Sequence, residues 1–352
     1  MQNALFVKEV GKPVKAGTRA IPTPGPNEVL IKVTATQLLP HDTYGRDFGL
    51  FISQHLPFVL GSNIVGIVSK LGPDVTRYAL GDHIYGQGDP KAVVPNSSGL
   101  QQYAILRLDL SALVPAGFTD DQMATLPINA GTSFAALFHP EWLNFPPPFS
   151  AKTKTFDYSK EKLVILGAGT QCGKLAIQFA KIAGIGTIIA VASIGREAEL
   201  KDLGATHVID RHSNNVVAEV QKASGGAEGI THVYDCASWT YELVADLVAT
   251  EKRSRIAILH HSKTVQTDLN SRGKKLAIVA TVVGSQANFH GEENRMYWES
   301  LGSWVQEGKV RIPEYRTIEG LDEARVNEAL DSYRDGRPVV QAIVHPDGVV
   351  AK

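Results

Sequence analysis

The sequence predicts an α/β protein made of a β-rich, turn-rich domain and a doubly wound parallel sheet. Three observations lead there. The chain has 352 residues, for which two domains are the natural expectation. From Lys162 onward, short apolar runs alternate with stretches of helical spacing, the mark of strand–helix–strand crossovers. Before Thr119, short strands follow one another with glycine and proline between them, which suits a small barrel-like fold.

In the first part, Ala4–Val7 and Glu28–Thr34 read as strands, with the Pro22–Asn27 loop between them. Leu39–Tyr44 reads as a polar turn after a strand. Phe58–Ser69, His83–Tyr85, Tyr103–Leu106 and Ser111–Val114 follow as strands. A helix is expected from Asp120, whose acidic first turn suits the helix dipole; Pro127 interrupts it and Gly131–Phe138 continues. Pro140–Lys160 reads as a proline-rich surface insertion. In the second part, strands are expected at Leu163–Leu166, Thr187–Ala192, His207–Asp210, His232–Cys236, Arg255–Leu259 and Leu276–Val283. Helices are expected at Glu197–Leu203, Val216–Lys222 and Tyr241–Ala249. The tail reads as helix, helix and strand over Tyr297–Val305, Val326–Tyr333 and Val339–Val344, and its strand would most easily rejoin the first domain.

Composition narrows the function. Hydrophobic residues make up 43% and charged residues 20%, ordinary for a globular enzyme. A net charge of -1 gives no field to recruit nucleic acid or anionic lipid. Two cysteines, Cys172 and Cys236, do not suggest a disulfide framework and suit a reducing compartment. No leader and no membrane-length apolar run is read, so a cytoplasmic protein is expected, as monomer or homodimer.

The stretch that carries chemistry is Lys162-Leu-Val-Ile-Leu-Gly167-Ala-Gly169-Thr170-Gln171-Cys172-Gly173 and the helical run after it. A buried strand, a glycine turn and a helix start form a dinucleotide fingerprint. Glycines let the backbone approach a pyrophosphate, and the helix N-terminus faces it with N–H groups. After the second strand, an acidic residue would take the ribose 2′-hydroxyl of NAD. Here Ser193 and Arg196 precede any carboxylate and can meet a 2′-phosphate, so NADPH is expected; Glu197 keeps NADH as the alternative. Cys172, at the helix start, is either a thiol of lowered pKa or a packed small residue.

Several motifs, in order along nearly the whole chain, resemble the medium-chain dehydrogenase/reductase superfamily. They are Leu60-Gly-Ser62-Asn63-Ile-Val-Gly-Ile-Val-Ser-Lys-Leu-Gly-Pro-Asp-Val75, Gly81-Asp-His-Ile-Tyr-Gly86, Leu126-Pro-Ile-Asn129-Ala-Gly-Thr132, the glycine turn and Leu203-Gly-Ala-Thr-His-Val-Ile-Asp210. The resemblance implies a GroES-like catalytic domain over residues 1–124, a Rossmann domain over 125–286 and a return over 287–352, with the active site in the cleft between them. Zinc-dependent members carry a His-Glu pair where this chain has Ser62 and Asn63, and a four-cysteine lobe of which there is no trace. No metal is therefore expected, and the zinc-free branch of quinone reductases, enoyl reductases and fungal trans-acting enoyl reductases is implied.

That branch carries Asn-Pro-Ser-Asp after the early strand. Here Leu39-Pro40-His41-Asp42-Thr43-Tyr44 keeps the proline and aspartate only. The resemblance places Pro40, Asp42 and Thr43 on the cofactor, with Tyr44 and His41 as catalytic candidates. A phenol at Tyr44 can donate a hydrogen bond to a developing enolate, and His41 can relay a proton or position ribose. Thr132 looks like the family's helix-start residue near the nicotinamide phosphate. Arg211 stands where an aromatic residue often meets adenine. Leu259 and His260 end a parallel strand at the ligand-binding edge of the sheet. Asn129, Val283, Gly284 and Ser285 are expected at the substrate. The implied activity is NADPH-dependent reduction of an enone or enoyl C=C bond, in a setting such as secondary metabolism. The alternatives are quinone reduction, metal-free carbonyl or alcohol chemistry, and a non-catalytic NADPH-binding protein.

Overall fold

A computed structural model describes residues 1–89, 94–282, 292–337 and 340–348. The chain divides into two compact units, Met1–Ile128 with His290–Lys352, and Asn129–Phe289.

The first segment of unit one is mostly strand: β1 (Gln2–Val7), β2 (Lys15–Arg19), β3 (Glu28–Gln37), β4 (Phe58–Val59), β5 (Asn63–Leu71), β6 (His83–Gln87), β7 (Tyr103–Arg107) and β8 (Ser111–Leu113). The 10-residue β3 organises them. It pairs with β5 along its length and with β7 through Glu28–Lys32. Strands β2, β1 and β4 form a separate small sheet. Strand β2 has no buried residue, which is why its hydrophobic pattern is silent.

Leu39–Tyr44 is not a turn. It opens helix α1 (Pro40–Phe48). Proline suits the first helical position because no intrahelical bond needs its N–H. Asp42 Oδ2 reaches back to accept the Leu39 N–H at 2.8 Å, and Gly49 closes the helix with φ +72°. Buried Arg46 then pairs with Asp331 at 2.6 Å, and Thr43 Oγ1 donates to the Leu330 carbonyl at 3.0 Å. Helix α2 (Asp120–Ala124) is short, and Pro127 starts α3 (Pro127–Phe138) rather than interrupting a helix.

Unit two is a six-stranded parallel sheet of β9 (Lys162–Leu166), β10 (Thr187–Ala192), β11 (His207–Asp210), β12 (His232–Asp235), β13 (Ser254–Ile258) and β14 (Ala277–Thr281). Their order is β11-β10-β9-β12-β13-β14. The crossovers carry α4 (Gln171–Ala183), α5 (Glu197–Leu203), α6 (Val216–Ala223), α7 (Glu242–Leu247) and α8 (Val265–Ser271). Helix α8 is an element that no apolar period between Val265 and Ser271 announces. The core of unit two runs through Val164, Leu166, Ile189, Val191, Val233, Ile256 and Ile258, whose unbroken apolar runs reflect strands covered on both faces. The strand order reverses between β9 and β12, the switch point at which such sheets bind ligands. Pro140–Lys160 is more than a surface insertion: Trp142, Leu143, Phe145 and Tyr158 are buried. Phe145 lies 4.4 Å from the His232 ring, and burial, with Arg255 adding to it, lowers that imidazole to about 4.

The returning segment of unit one holds α9 (Glu292–Gln306), β15 (Tyr315–Glu319), α10 (Glu323–Arg334) and β16 (Gln341–His345). Strand β16 pairs antiparallel with the end of β3, Ile343 opposite Gln37. Strand β15 is half-buried along most of its length, so its residues carry no apolar pattern that announces a strand.

Candidate functional site

In unit two the parallel strands bring their carboxyl ends to one edge, where Gly167, Ser193, Arg211 and Leu259 follow β9, β10, β11 and β13. Gly167 turns the chain out of β9 with φ +73°, and a Cβ on it would come within 2.4 Å of the Ala237 Cβ. Gly173 lies against the turn itself: a Cβ would stand 2.5 Å from the Gly167 carbonyl and 2.6 Å from the Ala168 Cα. Thr170 Oγ1 caps α4 by accepting the Gly173 N–H at 3.1 Å. Gly169 differs. A Cβ there would meet Arg196 Cδ at 3.0 Å and Ala192 Cβ only at 3.7 Å. Its backbone lies directly under the flexible side chain of a cation, where a Cβ would have to displace Arg196.

Around Gly169 the charges form a set. Arg196 pairs with Glu199 at 3.1 Å, and Lys174, on the first turns of α4, pairs with the same carboxylate. Burial opposes ionisation of Glu199, but the two cations overcome it and hold the carboxyl below its ordinary value. Arg211 Nε donates to Ser193 Oγ at 3.1 Å, so the guanidinium expected near adenine is tied to the serine after β10. Lys174 was not among the sequence candidates. As one cation in an amphipathic helix it gives no local signal, and only the fold sets it beside Glu199.

Beyond β12 and β13 lies a second feature. Trp239 stacks on His260, with ring centroids 3.8 Å apart and planes 15° apart. His260 Nδ1 lies 2.9 Å from the Ser238 carbonyl, and Tyr241 donates to the His260 carbonyl. Leu259 continues β13 through an N–H bond to the Asp235 carbonyl at 3.2 Å. Trp239 was also missed, since a lone loop tryptophan has no periodicity.

Cys172 is a packed residue. Ser133 Oγ donates to its carbonyl at 2.9 Å, and its thiol donates to Asn129 Oδ1 at 3.6 Å. Burial pushes the thiol up to about 11, despite the opposing influence of Ser133 and Tyr234, so the lowered-pKa alternative does not hold. Asn129 is thus engaged with Cys172. Thr132 stands inside α3, five residues after Pro127, and not at a helix start. Val283, Gly284 and Ser285 lie outside the described residues.

In unit one, α1 sorts its residues by face. Asp42, Thr43 and Arg46 are buried, whereas His41 and Tyr44 are half-buried. Asp42 gives both oxygens to backbone N–H groups, of Leu39 at 2.8 Å and of Gly61 at 3.0 Å. With Thr43 bonded to Leu330, both side chains brace α1 within unit one. Pro40 is exposed at the helix start. Burial raises the Tyr44 phenol above its ordinary value, which keeps it protonated. His41 Nε2 lies 3.1 Å from Ser62 Oγ. Asn63 is fully buried; it donates to the Ala124 carbonyl at 3.0 Å and accepts the Ile128 N–H at 2.8 Å.

Two family models match in tandem. Residues 25–116 match the alcohol dehydrogenase GroES-like domain, and residues 172–295 match the zinc-binding dehydrogenase model. The trans-enoyl reductase tazE of Aspergillus terreus is 29% identical over 271 residues, 74% of this chain and 85% of that protein. The trans-enoyl reductase tndF of Aspergillus flavipes is 27% identical over 350 residues, 95% of each chain. The solved quinone oxidoreductase of Pseudomonas syringae pv. Tomato DC3000 shares the fold with a TM-score of 0.78 at 21% identity, covering 98% of this chain and 100% of that one. The chain belongs to the medium-chain dehydrogenase/reductase superfamily, a family of oxidoreductases.

Among the described residues no donor set fits the zinc named in the second model. Asn63 is spent on the core, and both cysteines lie in unit two with thiols raised by burial. Among the described residues no group of three or more His, Cys, Asp or Glu is placed to hold a metal ion. No helix described is long and apolar enough to cross a membrane.

Proposed function

We propose that the chain is a zinc-independent, NADPH-dependent reductase of an activated C=C bond, in an enone or enoyl substrate. The observation that carries the reading is Arg196 lying over Gly169, with Lys174 sharing its Glu199 partner and Arg211 bonded to Ser193. A pyrophosphate suits the first feature, and a 2′-phosphate suits the second because guanidinium and ammonium groups bind phosphate oxygens strongly. Glu199 balances the cations in the free protein and would exchange them for the phosphate. When bound, the reduced nicotinamide supplies a hydride. The chain's part is to hold the substrate and meet the charge that develops on its oxygen. Tyr44, kept protonated by burial, donates the hydrogen bond to that oxygen. The two relatives named trans-enoyl reductases support the choice of substrate class.

The reading is tested by following NADPH oxidation with an enone, an enoyl thioester, a quinone and an aldehyde, with NADH in parallel. Turnover of the first two with NADPH, at least about tenfold above NADH, is the expected result. Turnover of the quinone alone would replace the C=C reading with quinone reduction, and no turnover of any acceptor would end both.

A further inference from the structure

The contact between His41 and Ser62 joins residues 21 positions apart, and a buried carboxylate sets it up. Asp42 accepts the Leu39 N–H with one oxygen and the Gly61 N–H with the other, so it fixes the backbone beside both partners. The Gly88 N–H holds the Ser62 carbonyl at 2.8 Å. On this frame the imidazole and the hydroxyl are only half-buried, with the His41 side chain 32% exposed. Asn63, the next residue, is by contrast consumed by the core. The fold therefore spends Asp42 and Asn63 on structure and leaves a histidine–serine pair at a partly open surface.

We propose that Ser62, recharged by His41, delivers the proton to the α-carbon of the enolate formed when the C=C bond is reduced. The inference rests on the C=C reading above. NADPH gives a hydride to the β-carbon and is oxidised. The enolate's electron pair forms a C–H bond with the Ser62 hydroxyl proton, and the Ser62 O–H bond breaks. His41, entering the step as the imidazolium, gives its Nε2 proton to Ser62 Oγ and is left as neutral imidazole, and solvent returns a proton to the ring. One proton is consumed per turnover. A hydroxyl cannot act alone, because an alkoxide is too costly to leave near neutral pH. An imidazole is the side chain best suited to give and regain a proton there. Tyr44, whose phenol burial keeps protonated, is assigned the hydrogen bond to the substrate oxygen, and the proton to the α-carbon falls to the pair that solvent can recharge through an imidazole.

The test uses the full chain with NADPH and an enone in D2O. Ser62→Ala should lower turnover about 100-fold and yield both α-epimers of the deuterated product, where the parent yields one. Ser62→Thr, which keeps a hydroxyl, should restore the single epimer. His41→Ala should fall similarly and recover about tenfold with added imidazole. NADPH affinity should stay within about twofold in all three. In the ligand-free protein, Ser62→Ala should shift the His41 ring nitrogen resonance. Turnover of Ser62→Ala within about threefold of the parent, with one epimer, would overturn the dyad and leave the reductase reading standing. If Ser62→Ala loses NADPH binding, the imidazole experiment decides, and absence of rescue overturns the dyad. A parent that reduces quinones but no C=C bond would overturn both.

Discussion

The glycine turn after β9 and helix α1 carry the two halves of the proposed chemistry, and they are built in opposite ways. In the turn the backbone does the work. Gly167 needs a positive φ, Gly173 needs contact with the Gly167 carbonyl, and Gly169 lets the Arg196 side chain lie against the backbone. Side chains add only charge around it. In α1 the backbone is tied down by Asp42, Thr43 and Arg46, and the groups left for chemistry are the half-buried side chains of His41 and Tyr44. A site made of backbone fails as a whole when bulk is added. A site made of side chains should fail one role at a time.

The largest expected effect lies in the turn. Gly169→Val would push Arg196 aside and fill the phosphate approach, where the nearest atom is a flexible side chain and not backbone. The fold should survive by circular dichroism while NADPH binding is lost; unchanged affinity would place the cofactor elsewhere. Next comes Tyr44→Phe, which keeps the ring and removes the donor. Turnover of an enone should fall about 100- to 1,000-fold with NADPH affinity unchanged. A variant within threefold of its parent would remove Tyr44 from the chemistry.

Arg196→Ala should be milder. Loss of one charge-assisted contact of about 1.5–3 kcal/mol weakens NADPH binding roughly 10- to 150-fold, and NADH binding should hardly move. Equal loss of both cofactors would contradict a 2′-phosphate role. The smallest effect concerns the scaffold of unit one. His345 Nε2 bonds Asp121 at 2.7 Å and Nδ1 faces Glu319 at 3.2 Å. The Asp121 bond raises the imidazole above its ordinary value, burial opposes this, and Glu319 adds to the rise. A raised folded value means that the stabilisation is complete below the unfolded value of about 6.5 and is lost as pH rises through the folded value. Denaturant midpoints should fall over that rise by the equivalent of about 1 kcal/mol, and His345→Gln should flatten the profile. An unchanged slope would show that other groups set it.

The same contrast explains what could be read from the residues alone. The turn was legible because strand, glycines and helix are contiguous and each leaves a local pattern. Helix α1 was not, because Pro40-His-Asp-Thr looks like a turn until Asp42 is seen to cap Leu39 and Gly61 together, and Arg46 to reach Asp331 across 285 positions. Tyr44 and His41 could be singled out by type and by resemblance, but the sorting of Asp42 and Thr43 into the scaffold needed their partners. Lys174 and Trp239 were invisible for the same reason: their meaning comes from Glu199 and His260, which only the sheet brings alongside.

The most direct test of the central claim follows the hydride itself. The protein would be given an enone with NADPH deuterated in turn at each C4 position, and the product read by mass spectrometry and NMR. The account predicts that one of the two cofactors delivers a single deuterium to the β-carbon and that the other delivers none. Consumption of the enone with no deuterium at that carbon, or transfer from NADH as efficient as from NADPH, would contradict it.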